Sequence, residues 1–483
     1  MAWGGGAGAK LLPSGRRPVS LAGMEDSDFR PGAGEFRALP RRSPRPERPE
    51  LGPRRGGRDF PERGGLPDRA PFRGDEFPPR GPREPRPERK PTGPPAGTTW
   101  PAPWVQLKYF ASQPTLYPAM IAGASPDAKP GDLVAVFDRE GRRFGTGLWN
   151  PKARVPLRVL HYGEDAPGEE LFETLLNRAL ELRTRWLGLG EETDTYRVVH
   201  SDGDGLSGLV VDRFGDTLSV EVHSLGMFQR LGKMLPAIHA RLGTQRQVIS
   251  VDDFVARVEG IRFAAANDVR AVRVREHGVR YEVNFESGHK TGFFCDQREN
   301  RRRLAALVKG HRVLDCCCYT GGFAITAKVL GGAGDVTAVD LDEKAIAQAK
   351  RNANLNQARI DWVHCDAFSF TRQMQRNNTR WPVVVLDPPK FLLSREEELE
   401  GRRKYEDLNG MGMNVLEPGG LLVTCSCSGL IDMEGFEQLV GRAAYRLGKR
   451  LQFLDRTGAG VDHPVMANCP ESRYLKVIWA RVW

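Results

Sequence analysis

The sequence predicts an α/β protein whose C-terminal part is a parallel sheet with helices on both faces. Three observations predict it. After about residue 300, short apolar runs alternate with helix-like segments, as in strand–helix units that build a parallel sheet. Ahead of them lie β-rich runs bounded by Gly and Pro turns. The first 100 residues follow neither pattern. They hold 19 of the 35 prolines and 17 of the 54 glycines, with 18 Arg and 2 Lys against 13 acids. A segment of that kind buries too little apolar surface to offset its ordering entropy, so it is expected to be a disordered tail.

The charge is as uneven as the composition. Of the net +10, +7 sits in residues 1–100, while the rest carries 51 basic and 48 acidic side chains, so the chain is not a uniformly basic globule. Within the tail, Arg55-Gly56-Gly57 and Arg63-Gly64-Gly65 resemble segments that hold single-stranded nucleic acid by charge and stacking; a solubilising tail has the same composition. No run of about 18 apolar residues exists, which excludes a helical membrane span. The first 24 residues lack acids and carry Lys10, Arg16 and Arg17, but have no apolar block of secretory length. Met24 as the true start and a weak organellar presequence are the two readings. Eight cysteines, three of them consecutive at 316–318, do not make a disulfide scaffold. A reducing, cytoplasmic protein is expected.

Taken in order, residues 101–170 read as a small β domain, with strands at 133–137 and 155–160 between Pro130-Gly131 and Gly141 turns. Residues 171–285 read as a mixed α+β domain. It opens on a helix in which Phe172, Leu175, Leu176, Leu180 and Trp186 share one face, and a hairpin follows, 209–214 and 217–222 joined by Gly215-Asp216. Residues 286–483 read as the parallel-sheet domain. Its strands lie at 313–314, 336–339, near 364, at 383–386 and at 421–424, the last after the turn Pro418-Gly419-Gly420, and a final strand spans 474–482.

Ligands of such a sheet bind at the carboxyl ends of its strands. After the first strand stand Tyr319, Thr320, Gly321 and Gly322, where paired glycines let backbone approach a ligand and start a helix against it. The second strand ends at Asp340, placed to accept the hydroxyls of a ribose, with Asp342 better placed as a helix cap. The third ends near Asp366, where an adenine amino group would lie. The fourth ends in Asp387-Pro388-Pro389-Lys390; consecutive prolines fix one extended path and so fix the direction of the Asp387 carboxylate. The fifth ends in Cys425-Ser426-Cys427-Ser428-Gly429. Its alternating cysteines put both thiols on one face, at the mouth of the crevice. No CxxC or other ligand spacing accompanies them, so no metal is expected.

Together, Tyr319-Thr320-Gly321-Gly322-Phe323, Asp387-Pro388-Pro389-Lys390-Phe391 and Ser426-Cys427-Ser428-Gly429-Leu430 resemble the class I S-adenosylmethionine-dependent methyltransferases that make 5-methylcytosine in large-subunit ribosomal RNA and carry an N-terminal PUA domain. The blocks at 205–213 and 290–298, Asp462-His463-Pro464 and Tyr474-Leu475-Lys476 are similar as well. The likeness runs from about residue 103 to the end. It implies a Rossmann-like methyltransferase domain, a PUA-like RNA-binding domain, S-adenosylmethionine as cofactor and ribosomal RNA as partner, with no membrane. The oligomeric state is open, a homodimer being one reading.

In that chemistry a thiolate adds to carbon 6 of cytosine to make carbon 5 nucleophilic. The resemblance gives that role to Cys427 and puts Asp387 on the base edge near N3. The base that removes the carbon 5 proton is open, with Cys425 or a water as candidates, because Pro388 stands where many such enzymes have a second cysteine. His463 reads either as a substrate contact or as a turn residue, and Arg298 as a phosphate or rRNA contact in preference to a cap of the arginine-rich helix 298–303. Tyr405 and Asn409 are expected in a loop over the pocket. Two alternatives remain: a guanine N-methyltransferase using the Asp-Pro-Pro turn without a thiol, and a non-catalytic RNA-binding assembly factor.

Overall fold

The computed structural model describes residues 92–264, 268–286, 292–392 and 394–483, within one compact unit, Pro87–Trp483. The Arg-Gly-Gly segments, Met24, Lys290 and Thr291 lie outside the described residues. Trp100, which composition assigns to the tail, stacks on Phe137 with ring centroids 4.0 Å apart and planes 6° apart. Packing of the β domain therefore begins ahead of residue 101; a composition average over a hundred residues cannot register one aromatic anchor.

That domain is a six-stranded sheet in which Leu133–Phe137 pairs with Arg143–Trp149, and Arg143–Trp149 with Leu157–Tyr162. Val105, Leu107, Leu116, Val134, Val136 and Leu157 fill its core. Next comes a four-stranded sheet holding the expected hairpin, Leu209–Phe214 against Thr217–Val222. Helices Glu170–Glu181 and Leu225–Leu242 bury Leu175, Leu176, Leu231 and Leu235 in its core. A further hairpin, Ala271–Glu276 with Val279–Asn284, shares a core with Ile325 and Ala353 of the domain that follows.

The C-terminal sheet has seven strands: β1 (Val313–Cys316), β2 (Val336–Asp340), β3 (Asp361–His364), β4 (Trp381–Leu386), β5 (Leu416–Ser426), β6 (Leu451–Thr457) and β7 (Lys476–Val482). Their order is 3-2-1-4-5-7-6, with β1 to β5 parallel and β7 antiparallel between β5 and β6. Helices α1 (Arg298–Ala305), α2 (Gly322–Val329), α3 (Glu343–Leu355), α4 (Ala367–Arg376), α5 (Glu398–Asn414) and α6 (Met433–Arg446) surround it. Central strands covered on both faces must be apolar on both, and Val313, Leu314 and Val383 to Leu386 are at most 2% exposed. The strand order reverses between β1 and β4, so the crevice opens there. Edge strand β6 escapes the apolar-run signal because only alternate residues are covered. Pro418-Gly419-Gly420 lies inside β5 rather than before it, at a register shift against β4, where Gly419 takes a φ of 77°.

Two expectations are corrected here, for Arg298 and for Tyr405 with Asn409, and of the two readings of His463 one is supported. Arg298 is 1% exposed and forms a two-bond pair with Asp462, at 2.9 and 3.0 Å. Asp462 also accepts the backbone N–H of Arg197 at 2.8 Å, and its carbonyl accepts from Arg183 at 2.6 Å. Burial alone would raise the Asp462 pKa, but His463 and Arg298 outweigh it and hold the carboxyl well below its usual range. Arg298 thus braces Asp462, which clamps the C-terminal domain to Arg183 and Arg197 of the central one, and is not a phosphate contact; arginine-rich composition in α1 does not say which arginines turn inward. His463 is buried, bonded to Asp462 at 3.0 Å and edge-on to His200, which makes it a turn residue. Tyr405 and Asn409 belong to helix α5 and are fully buried.

Arg298→Ala would strip the buried Asp462 carboxylate of its two-bond partner, and removing one member of a buried ion pair costs about 3–5 kcal/mol. Urea unfolding should show that loss as a lower midpoint. A phosphate-binding arginine would instead leave the midpoint in place and weaken RNA binding.

Candidate active site

A cavity of about 990 Å³ opens beyond the carboxyl ends of β1, β2, β4 and β5. That is at the top of the ~300–1,000 Å³ range of ligand pockets. Its far wall is built by Val210 and Glu221 of the four-stranded sheet and His223 just past it, so two domains enclose it.

Past β1 the chain makes a tight loop in which Cys317 and Tyr319 take φ values of 62° and 48°, a left-handed conformation that non-glycine residues rarely hold. Three bonds fix it: Cys318 N–H to the Val339 carbonyl at 3.0 Å, Gly321 N–H to the Cys318 carbonyl at 2.8 Å, and Tyr319 N–H to Asp340 Oδ2 at 2.7 Å. Tyr319, Thr320 and Gly322 line the cavity. Gly321 lies behind them. With φ 86°, it caps α2, and a Cβ there would come within 2.7 Å of the Trp362 ring and 2.9 Å of Ile325. Its missing side chain makes room for protein rather than for a ligand.

Asp340, at the end of β2, borders the cavity, and its Oδ1 accepts the Asp342 N–H at 2.9 Å. Asp342 caps α3 through the N–H groups of Lys344 and Ala345. Beyond β3, Asp366 caps α4, its Oδ2 accepting from the Ser369 N–H and hydroxyl, each at 2.9 Å. It does not border the cavity. A carboxylate one residue before a helix satisfies capping geometry so well that strand-end position alone misleads.

Asp387 stands at the end of β4, half-buried and facing the cavity. Gln297 Nε2 donates to its Oδ1 at 3.1 Å. Burial and the nearby Asp296 carboxylate push its pKa up to about 7, against the Gln297 bond. Gln297 is held by Asn300, Asn300 by Thr457, and Thr457 by the Trp479 indole, at 2.7, 2.7 and 2.9 Å. A buried chain of this kind fixes the carboxyl from behind. Below it, Asp315 is fully buried on β1, and its Oδ2 accepts the Ala324 N–H at the start of α2. Burial and Asp387 raise its pKa well above the usual value.

The two cysteines at the end of β5 differ sharply. Cys425 has no exposed surface, and burial followed by Asp387 raises its pKa well above the usual value. It is sealed behind Asp387, not at the mouth. Cys427, two residues on, is half-buried and borders the cavity. Cys317 also borders it, but burial and Cys316 raise that thiol well above the usual value. Behind Cys427 lies Lys476, 3% exposed, which faces Ser426 across the β5–β7 pairing. Burial lowers its pKa to about 8, opposed by Cys427 and Asp432.

Sequence reasoning thus brings Tyr319, Thr320, Gly322, Asp340, Asp387 and Cys427 to one cavity and misses Asp296, Gln297, Tyr474 and Lys476. Those four lie in short blocks quoted above, but no spacing rule marks them; only tertiary contact does. Among the described residues, no group of three or more His, Cys, Asp and Glu side chains is arranged to hold a metal, and no helix is long and apolar enough to cross a membrane.

The S-adenosylmethionine-dependent methyltransferase family matches residues 211–470, and a PUA-like domain matches residues 106–162. Ribosomal RNA large subunit methyltransferase I of Salmonella arizonae is 31% identical over 377 residues, covering 76% of this chain and 93% of that protein. The protein of the same name from Erwinia tasmaniensis is 31% identical over 378 residues, covering 76% and 95%. Among solved structures, an S-adenosylmethionine-dependent methyltransferase from Streptococcus mutans has a TM-score of 0.65 at 19% identity, covering 78% of this chain and 100% of that one; this likeness is one of fold. A methyltransferase structure solved with SAH also has a TM-score of 0.65 at 19% identity, over 76% of this chain and 95% of its own. A Rossmann-like methyltransferase domain with a PUA-like domain ahead of it is the fold expected from sequence. With one family spanning more than half of its length, the chain belongs to the S-adenosylmethionine-dependent methyltransferases that carry a PUA-like domain, and S-adenosylmethionine is its cofactor.

Proposed function

We propose that the protein methylates carbon 5 of a cytosine in large-subunit ribosomal RNA through a covalent bond between Cys427 and carbon 6. The observation that carries this reading is that Cys427, alone of the two β5 thiols, borders the same cavity as Asp387. The RNA comes from the curated relatives, which are named for the large ribosomal subunit. The PUA-like domain supports it, exposing Tyr109 (51%) and Phe110 (63%) beside Lys108, side chains suited to stacking on bases and pairing with phosphate.

The cavity residues fit the cofactor by their donor chemistry. Each Asp340 oxygen accepts one backbone N–H and retains acceptor capacity for a ribose hydroxyl. Leu341, 68% exposed, and the Phe294 and Tyr319 rings offer apolar walls. At the start of α2 the N-cap residue Gly321 has no side chain to cap it, so although Asp315 takes the Ala324 N–H the first turn suits a carboxylate. Asp366, away from the cavity, has no place in this assignment.

S-adenosylmethionine supplies a methyl group on a sulfonium, an electrophile that requires an electron-rich carbon. Sγ of Cys427 forms a bond to carbon 6, and the displaced pair makes carbon 5 electron-rich while negative charge spreads toward N3. Asp387, its pKa near 7, is partly protonated at neutral pH and can donate to N3 as that charge develops. Once carbon 5 carries the methyl, loss of its proton restores the ring double bond and expels Sγ. Pro388 has no basic group and Cys425 is sealed by burial, so the proton passes to a water in the cavity, the other acceptor open from the sequence. A target base must leave its stack to reach Cys427, and the cavity is large enough for a base beside the cofactor.

Mass spectrometry of ribosomal RNA nucleosides from cells with and without this gene tests the reading. One 5-methylcytosine in large-subunit RNA should be lost. Loss of an N-methylguanine instead would replace it with the thiol-free alternative.

A further inference from the structure

We propose that Lys476 is a positioning residue for Cys427: its ammonium, anchored behind the β5 end, pairs with the sulfur and holds it as a thiolate directed into the cavity. This rests on the cytosine reading and names the group that would activate its nucleophile. A lysine ammonium has three N–H donors. Two are committed at Lys476, one to the Ser428 carbonyl at 2.5 Å and one to the Tyr474 carbonyl at 2.7 Å. Ser428 directly follows Cys427, so the first bond ties Nζ to the nucleophile's own loop. Strand pairing sets Lys476 opposite Ser426, the residue just before Cys427. The ammonium is thereby fixed on both sides of the cysteine, with one donor left over.

A cation in this position is costly without a counter-charge, because burial disfavours the charged form. The charged and titratable groups around it are few. Cys427 and Asp432 favour its ammonium form and Lys390 opposes it. Asp432 is engaged as the cap of α6, accepting the Gly435 N–H at 2.8 Å. Cys427 in turn interacts with Tyr405 and Cys425, both of which are thiol or phenol groups kept neutral by burial. Lys390 also borders the cavity but is exposed, whereas Lys476 is buried and bonded to the cysteine's own loop, and a cation held beside a thiol lowers its pKa.

Alkylation of the full-length protein by iodoacetamide, followed peptide by peptide by mass spectrometry across pH, reads this directly. In the unmodified protein the Cys427 midpoint should lie at least about one unit below the ~8.5 of a free cysteine. Lys476→Met should raise it by about one unit or more, slowing alkylation at pH 7 roughly tenfold, and Lys476→Arg should restore most of the reactivity. A parent midpoint at or above that of free cysteine overturns the proposal without any variant having to fold. So does a low midpoint that Lys476→Met leaves unchanged. Methylation that survives Cys427→Ala would overturn the cytosine reading instead, leaving the alkylation result to stand as a property of the ion pair.

Discussion

Cys427→Ala should bind S-adenosylmethionine and RNA as the parent does and transfer no methyl group. Cys427 is half-buried at the cavity rim, past the last hydrogen-bonded residue of β5, so removing its sulfur opens no void in the packed interior. The chemistry has no substitute. Carbon 5 of cytosine becomes nucleophilic only when something adds to carbon 6, and the other thiols that border the cavity, Cys295, Cys317 and Cys318, are all raised well above the usual range, chiefly by burial. Turnover should fall by about 10³-fold or more, at least ~4 kcal/mol of transition-state stabilisation. Cys427→Ser should be nearly as inactive, since an alkoxide is far less accessible than a thiolate near neutral pH. The measurement is methyl incorporation into ribosomal RNA, with cofactor titration and circular dichroism as controls. A variant retaining more than a tenth of parent activity would mean direct transfer to an amine or ring nitrogen.

How far the sequence could be read depends on the range of the interactions involved. Parallel strands buried on both faces announce themselves as apolar runs, so β1, β2, β4 and β5 are legible from Val313-Leu314, Val336 to Val339, Val383 to Leu386 and Leu421 to Thr424. The hairpin at Gly215-Asp216 is legible for the same local reason. Functional residues at strand ends inherit that legibility, which is why Asp340, Asp387 and Cys427 meet in the cavity. Asp366 shows its limit: position after a strand and position before a helix are the same place in sequence, and capping geometry decides between them. Long-range partners leave no local trace. Arg298 and Asp462 are 164 residues apart and Gln297 and Asp387 are 90 apart, so neither the clamp nor the support of the carboxyl could be inferred from spacing. Lys476 is of the same kind, an ordinary strand lysine until the fold sets it behind a cysteine.

Asp387→Asn should trade activity for stability, with opposite pH dependences that identify the carboxyl as a proton donor. The folded pKa of Asp387, about 7, lies above the ordinary value of 3.8. Folding therefore takes up a proton between those limits, and the carboxyl's contribution to stability falls as pH rises through that window. An amide carries no such charge. The melting temperature of Asp387→Asn should match the parent near pH 4, exceed it progressively above, and level off once pH passes about 7. Catalysis should move the other way. The amide can still offer an N–H toward N3 but has no proton to give, so kcat should drop by roughly 10²–10³-fold, the cost of losing a donor aimed at developing charge. The parent's kcat should decline as pH rises through about 7, and the residual activity of the variant should lose that alkaline decline. If the two proteins melt alike at pH 8 and share one pH–rate profile, Asp387 is an ionised structural acid, and protonation of the base edge must come from elsewhere.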